Sequence, residues 1–102
     1  MKLADIGDLT TFRSSGKVRK VGAWSYYDND DLVRVVYHYG TEMGRFHWES
    51  FTDEDATDAV WYFVPTSVGW GSASDQQGMN KILKEFGWCY RRNGGEARYE
   101  RR

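Results

Sequence analysis

The chain has 102 residues, enough for one domain with a modest core, and 14 Lys and Arg against 15 Asp and Glu leave a formal charge of −1. That balance argues against a general nucleic-acid binder, whose net charge is positive. The opening MKLADIGDLT has no apolar signal-like run, and no stretch approaches the roughly 20 apolar residues of a membrane span. A lone Cys89 cannot form an internal disulfide, so a reduced, cytoplasmic protein without a membrane partner is expected.

In chain order, KVRKVGAWSYY (17–27) is β-prone, and DNDD (28–31) is a turn cluster. LVRVVYHY (32–39) alternates, with Val33, Val35, Tyr37 and Tyr39 on one face and Arg34, Val36 and His38 on the other. RFHWESF (45–51) alternates again. Pairing Tyr39 with Phe46 and Tyr37 with Trp48 joins the apolar faces across a 41–44 loop and sets His38 opposite His47, near Glu49. TDEDATDAV (52–60) reads as a helical turn with Thr52 as N-cap. VWYFVPT (60–66) reads as a buried strand ended by Pro65.

The one clear helix is predicted over about 75–86, where Met79, Ile82, Leu83 and Phe86 form an apolar stripe and Gly87 stops it. Ser74 and Gln77 fit a capping box. WCYRRNGGEARYER closes the chain as a hairpin around Asn-Gly. The sum is an α+β domain spanning 1–102: a small antiparallel sheet of about four to six strands with one principal helix packed on it.

Only nineteen residues are Leu, Ile, Val or Phe, while five Trp and seven Tyr supply the missing apolar area. Twelve such rings exceed what a core of this size holds, so some are expected on the surface as contact residues.

Charge is segregated. Residues 28–58 carry nine acids against Arg34 and Arg45, and residues 81–102 carry seven basic residues against three acids. The acids Asp28, Asp30, Asp31, Asp53, Glu54, Asp55 and Asp58 suit a basic surface on a partner, and the bipolar pattern also allows self-association into a homo-oligomer.

Two further constellations suggest ligands. In SVGWGSASDQQGMN (67–80), Trp70, Ser72, Ser74, Gln76, Gly78 and Asn80 could hold a phosphate-bearing nucleotide at the helix head, although no P-loop or dinucleotide spacing is present and Asp75 would repel an anion. Arg91, Arg92, Arg98, Arg101 and Arg102, interleaved with Trp88, Tyr90 and Tyr99, suit single-stranded nucleic acid. His38, His47 and Glu49 lack a fourth metal ligand, no nucleophile–base order is credible, and Cys89 has no neighbouring base, so no catalytic residue, cofactor or metal is assigned.

The stretch 61–92, above all VGWGSASDQQGMNKILKEFGWCY, resembles small accessory proteins encoded by tailed phages. That resemblance implies a host-takeover or anti-defence role in the host cytoplasm, a class that includes CRISPR inhibitors and nucleotide sponges. The leading expectation is therefore a non-enzymatic inhibitor that binds a host defence protein through an aromatic and acidic surface. A nucleotide sponge and a single-strand-binding module are the alternatives.

Overall fold

The computed structural model describes the backbone of residues 1–53 and 56–102 and the side chains outside 50–59. Five strands, β1 (Val18–Val21), β2 (Trp24–Asp28), β3 (Val33–His38), β4 (Thr41–Asp53) and β5 (Ala56–Pro65), form an antiparallel meander in the order of the chain. Helix α1 (Ala73–Ile82) follows, then a separate hairpin of β6 (Trp88–Asn93) and β7 (Glu96–Arg101). Two short 3-10 turns, Leu3–Gly7 and Leu9–Thr11, precede the sheet. The architecture is the expected α+β arrangement.

Local chemistry sets most of the boundaries. The β-prone run 17–27 is split by a two-residue turn at Gly22–Ala23, with Val21 opposite Trp24. In the DNDD turn, the Asn29 side chain accepts the N–H groups of Asp31 and Val33. β3 and β4 are joined by another two-residue turn, in which Tyr39 and Gly40 take φ of 49° and 80°, the left-handed pair that matches strand twist.

That short turn corrects the expected pairing. His38 lies opposite Thr41, and His47 lies opposite Val33. Met43 is a bulge, since Tyr37 pairs with Glu42 while Val36 pairs with Gly44. Beyond it Phe46 lies opposite Arg34, so the ring joins the face of Arg34, Val36 and His38 rather than that of Val33 and Val35.

Two other expectations are overturned. Thr52, read as a helix cap, is a strand residue opposite Thr57, and pairing is continuous from Gly44–Pro65 to Asp53–Ala56. Ten successive strand pairs outweigh a local capping signal, which an acid-rich hairpin end displays equally well. Helix α1 starts and stops earlier than 75–86, because Ser72 caps it and Leu83 already leaves the helix. Met79, Ile82 and Leu83 are nevertheless all buried, and Phe86 reaches Phe46 from the turn beyond, with ring centroids 4.5 Å apart.

The core lies on one side of the sheet. Trp24, Tyr26, Val36, Phe46 and Phe63 meet Met79, Ile82 and Leu83 of α1, Ile6 and Leu9 of the N-terminal turns, and Tyr90 of β6. Gly44 has no side chain because a Cβ there would meet the Phe63 ring at 2.4 Å.

Arg34 sits on this inner face and is fully buried. Its Nε and Nη2 donate to the two oxygens of Asp28 at 2.7 and 3.0 Å, and Nη1 donates to the carbonyls of Ile6 and Asp8. Nη2 also reaches the Thr11 hydroxyl, and the guanidinium lies 4.4 Å from the Tyr26 ring centroid. Asp28 accepts in addition from the Arg13 N–H. Every N–H of the guanidinium is used and both oxygens of Asp28 accept, as a buried charge requires. Replacing Arg34 by Ala strands Asp28 without its partner, and urea denaturation is expected to show a loss of about 3–5 kcal/mol. Arg34→Lys, which keeps the charge but not the fork, should lose less.

Candidate functional site

The loop 67–72 and the head of α1 are built around Asp75. The capping box is Ser72–Asp75, two residues before the expected Ser74–Gln77: the Ser72 hydroxyl accepts the Asp75 N–H and donates to its Oδ2. The same oxygen accepts the N–H groups of Trp70 and Ser72, and Oδ1 accepts Nδ1–H of His38 at 2.6 Å. Asp75 thus occupies, with its own carboxylate, the place an anionic ligand would take. Burial opposes its charge, but the hydrogen bonds from His38 and Ser72 outweigh that and hold the carboxyl below its ordinary value.

The other expected ligand residues divide. Gly78 is required by packing, since a Cβ would come within 2.0 Å of the Trp24 ring. Asn80 pairs with the backbone of Tyr90 through both amide atoms and so ties α1 to β6. Ser74 is exposed and touches Ser72. Trp70 is 62% exposed and stands edge-on to Tyr39, itself 68% exposed, with His38 beneath them stacked on Trp24. The serine here binds the carboxylate rather than the imidazole, which is the wrong member of the pair for a nucleophile.

His38 faces the core, and His47 faces the opposite side of the sheet, so the His38–His47–Glu49 grouping does not form. Among the described residues no three His, Cys, Asp or Glu side chains come together as metal ligands.

The outer face of the sheet carries a second aromatic set. Tyr27, Val35, Arg45 and Val64 lie side by side across β2 to β5, and Val33, His47 and Tyr62 form the adjoining row. His47 and Tyr62 are stacked, with centroids 5.5 Å apart and planes at 21°. None of these side chains belongs to the core or packs on it. Val18, Val60 and Tyr62 are exposed, while Val33 and Val35 are buried. Arg45 pairs with Glu42, and its Nε has no partner among the described residues.

Acidic residues gather at one end of this face. Asp30 and Asp31 are exposed in the β2–β3 turn, which abuts β4 through the Trp48 N–H and the Leu32 carbonyl. β3 makes its last register pair with His47, so from Trp48 and Trp61 onward β4 and β5 run on as a two-stranded arm. Trp48 and Trp61 pack edge to face at its root. Asp53, Glu54, Asp55 and Asp58 lie outside the residues whose side chains are described. Asp28 does not belong to the acidic surface, because Arg34 holds it inside.

In the C-terminal hairpin Arg91, Arg92, Arg98, Arg101 and Arg102 are exposed, but the aromatics between them point inward. Tyr90 is fully buried and donates to the Val68 carbonyl. The Tyr99 hydroxyl lies 2.9 and 2.8 Å from the carbonyls of Met43 and Ser67, and burial pushes its pKa well up. Trp88 lies under Arg101, 4.8 Å from centroid to guanidinium carbon. Arg91, Arg92 and Arg98 instead line a cleft with Gln76, so residues from both expected ligand sets meet there.

The chain matches no family model, and no curated protein or solved structure shows significant similarity to it.

Two outcomes follow from the geometry around Asp75. Because its folded pKa is depressed, its contribution is complete above the ordinary value of 3.8 and fades as pH falls through the folded value. Asp75→Asn should therefore cost about 1–3 kcal/mol at neutral pH, and its stability gap from wild type should close in acid denaturation series. Gly78→Ala gains helix propensity but drives a methyl into a buried ring, so chemical denaturation should show a net loss of about 1–3 kcal/mol.

Proposed function

We propose that this is a non-enzymatic binding protein that engages a protein partner through the outer face of its five-stranded sheet, with the acidic end set against a basic surface. The observation that carries this reading is the one-sided core: Tyr27, Val35, Tyr37, His47, Tyr62 and Val64 share a face outside the hydrophobic cluster. A sheet face of valine and aromatic side chains that no other element of the described fold packs on, with Tyr62, Val18 and Val60 exposed, is what an unpartnered interface looks like.

Size supports including the arm. Five strands about 4.8 Å apart and about five residues deep make a plane of roughly 400 Å². A stable complex uses about 800 Å² per partner. The strand pairing that continues beyond Trp48 and Trp61 lengthens the face, and the exposed Asp30–Asp31 turn adds negative charge. On the phage resemblance of residues 61–92, the partner is a component of a host defence system and binding blocks it.

The test is affinity capture from a bacterial lysate with paired variants. Wild type should retain one stoichiometric protein. Tyr62→Lys, placing a charge on the face at an exposed position of the edge strand, should lose it while melting normally, and Arg101→Ala with Arg102→Ala should retain it. A partner held equally well by Tyr62→Lys would sink the assignment of this face.

A further inference from the structure

Between the flank of α1 and the C-terminal hairpin lies a cleft of about 320 Å³ lined by Gln76, Arg91, Arg92, Asn93, Arg98 and Glu100. A neighbouring cleft of about 380 Å³ shares Gln76 and Arg91 and adds Arg102. We infer that this is a binding site for a compact oligophosphate, such as pyrophosphate or the phosphate chain of a nucleotide.

Charge is the first reason. Three guanidinium groups and one carboxylate line the cleft, leaving two positive charges in excess. Arg91 lies directly opposite Arg98 in the hairpin register, an arrangement that costs stability when nothing anionic sits nearby. Glu100 takes up only part of that cost.

The second reason is how the arginines are held. Arg91 and Arg98 ion-pair through Nε with the two separate oxygens of Glu100. Arg92 donates its Nε–H to the Gly71 carbonyl at 2.7 Å, and Arg102 donates its own to the Trp88 carbonyl at 3.1 Å. In all four the close contact to the protein is thus made through Nε, and the two terminal nitrogens form the fork that grips phosphate oxygens. Braced this way, the side chains lose less freedom on binding than solvated arginines do.

The cleft sits at the small end of ligand sites, suited to a phosphate group rather than a whole cofactor. Tyr90 and Tyr99 are turned inward and Trp88 is covered by Arg101, so no ring lines the cleft for a base to stack on. The ligand is therefore recognised by its phosphates, and a nucleic-acid strand is disfavoured. This site is separate from the outer sheet face and does not depend on it.

Calorimetry on the full chain, with pyrophosphate, ATP and a ten-residue oligothymidylate as probes, tests the proposal. Pyrophosphate and ATP should both bind, with affinity falling as salt rises. Arg92→Ala and Arg98→Ala, both at exposed positions, should each weaken Kd about tenfold or more. Glu100→Ala adds net positive charge yet should also weaken binding, because the bracing is lost. Tyr62→Lys should leave binding unchanged. No binding of pyrophosphate or ATP at millimolar concentration would overturn the site. So would binding that the arginine variants do not alter, tighter binding by Glu100→Ala, or an oligothymidylate that binds where pyrophosphate does not.

Discussion

The pairing of Arg34 with Asp28 decides which side of this sheet is the inside. β3 is apolar on both faces, and burial alone would favour turning Val33, Val35 and Tyr37 inward. Instead the face with a guanidinium meets the core, since the opposite strand places a carboxylate directly across from it and the N-terminal turns bring two carbonyls over it. A slip of one residue between β2 and β3 would leave Asp28 and Arg34 on opposite faces. The ion pair therefore works less as a source of stability than as a lock on register, the best-attested use of buried charge.

With that face inside, the surplus of aromatic rings sorts itself. Two tyrosines go inward with their hydroxyls on carbonyls, Tyr90 under Val68 and Tyr99 under the bulge at Met43, while the buried Tyr26 turns its hydroxyl toward Met1 Sδ and Arg19. Trp24 is wedged between the His38 ring and the bare backbone of Gly78. The remainder, chiefly Tyr39, Tyr62 and Trp70, with Trp48 at the root of the arm, stays in contact with solvent. An interior short of leucine is thus built largely from rings, two of them anchored by backbone acceptors, and the rings it does not enclose remain available.

Much of this was legible in the residues, and the misreadings have specific causes. The hairpin strands and the Met79–Ile82–Leu83 stripe follow from periodicity and turn chemistry. The face of β3 did not, because Tyr39 in a left-handed turn and the extra residue at Met43 are unsignalled locally and together reverse the alternation. Both Ser72 and Ser74 fit a capping pattern. The choice falls to Ser72 because Asp75 is held by His38, 37 residues away in the chain. The arginine cleft was split between two constellations for the same reason: Gln76 and Arg98 meet only once Asn80 has tied α1 to β6.

The meander order has a kinetic consequence. Every strand of the large sheet neighbours the strand before or after it, so that sheet needs only short loop closures to form. Its lid does not: the Tyr99 hydroxyl reaches a carbonyl 56 residues earlier, and α1 and β6 are translated after all five strands. On the ribosome the sheet can assemble with Trp24 and Phe46 still bare, and those rings stay wet until Gly78 and Phe86 emerge to cover them.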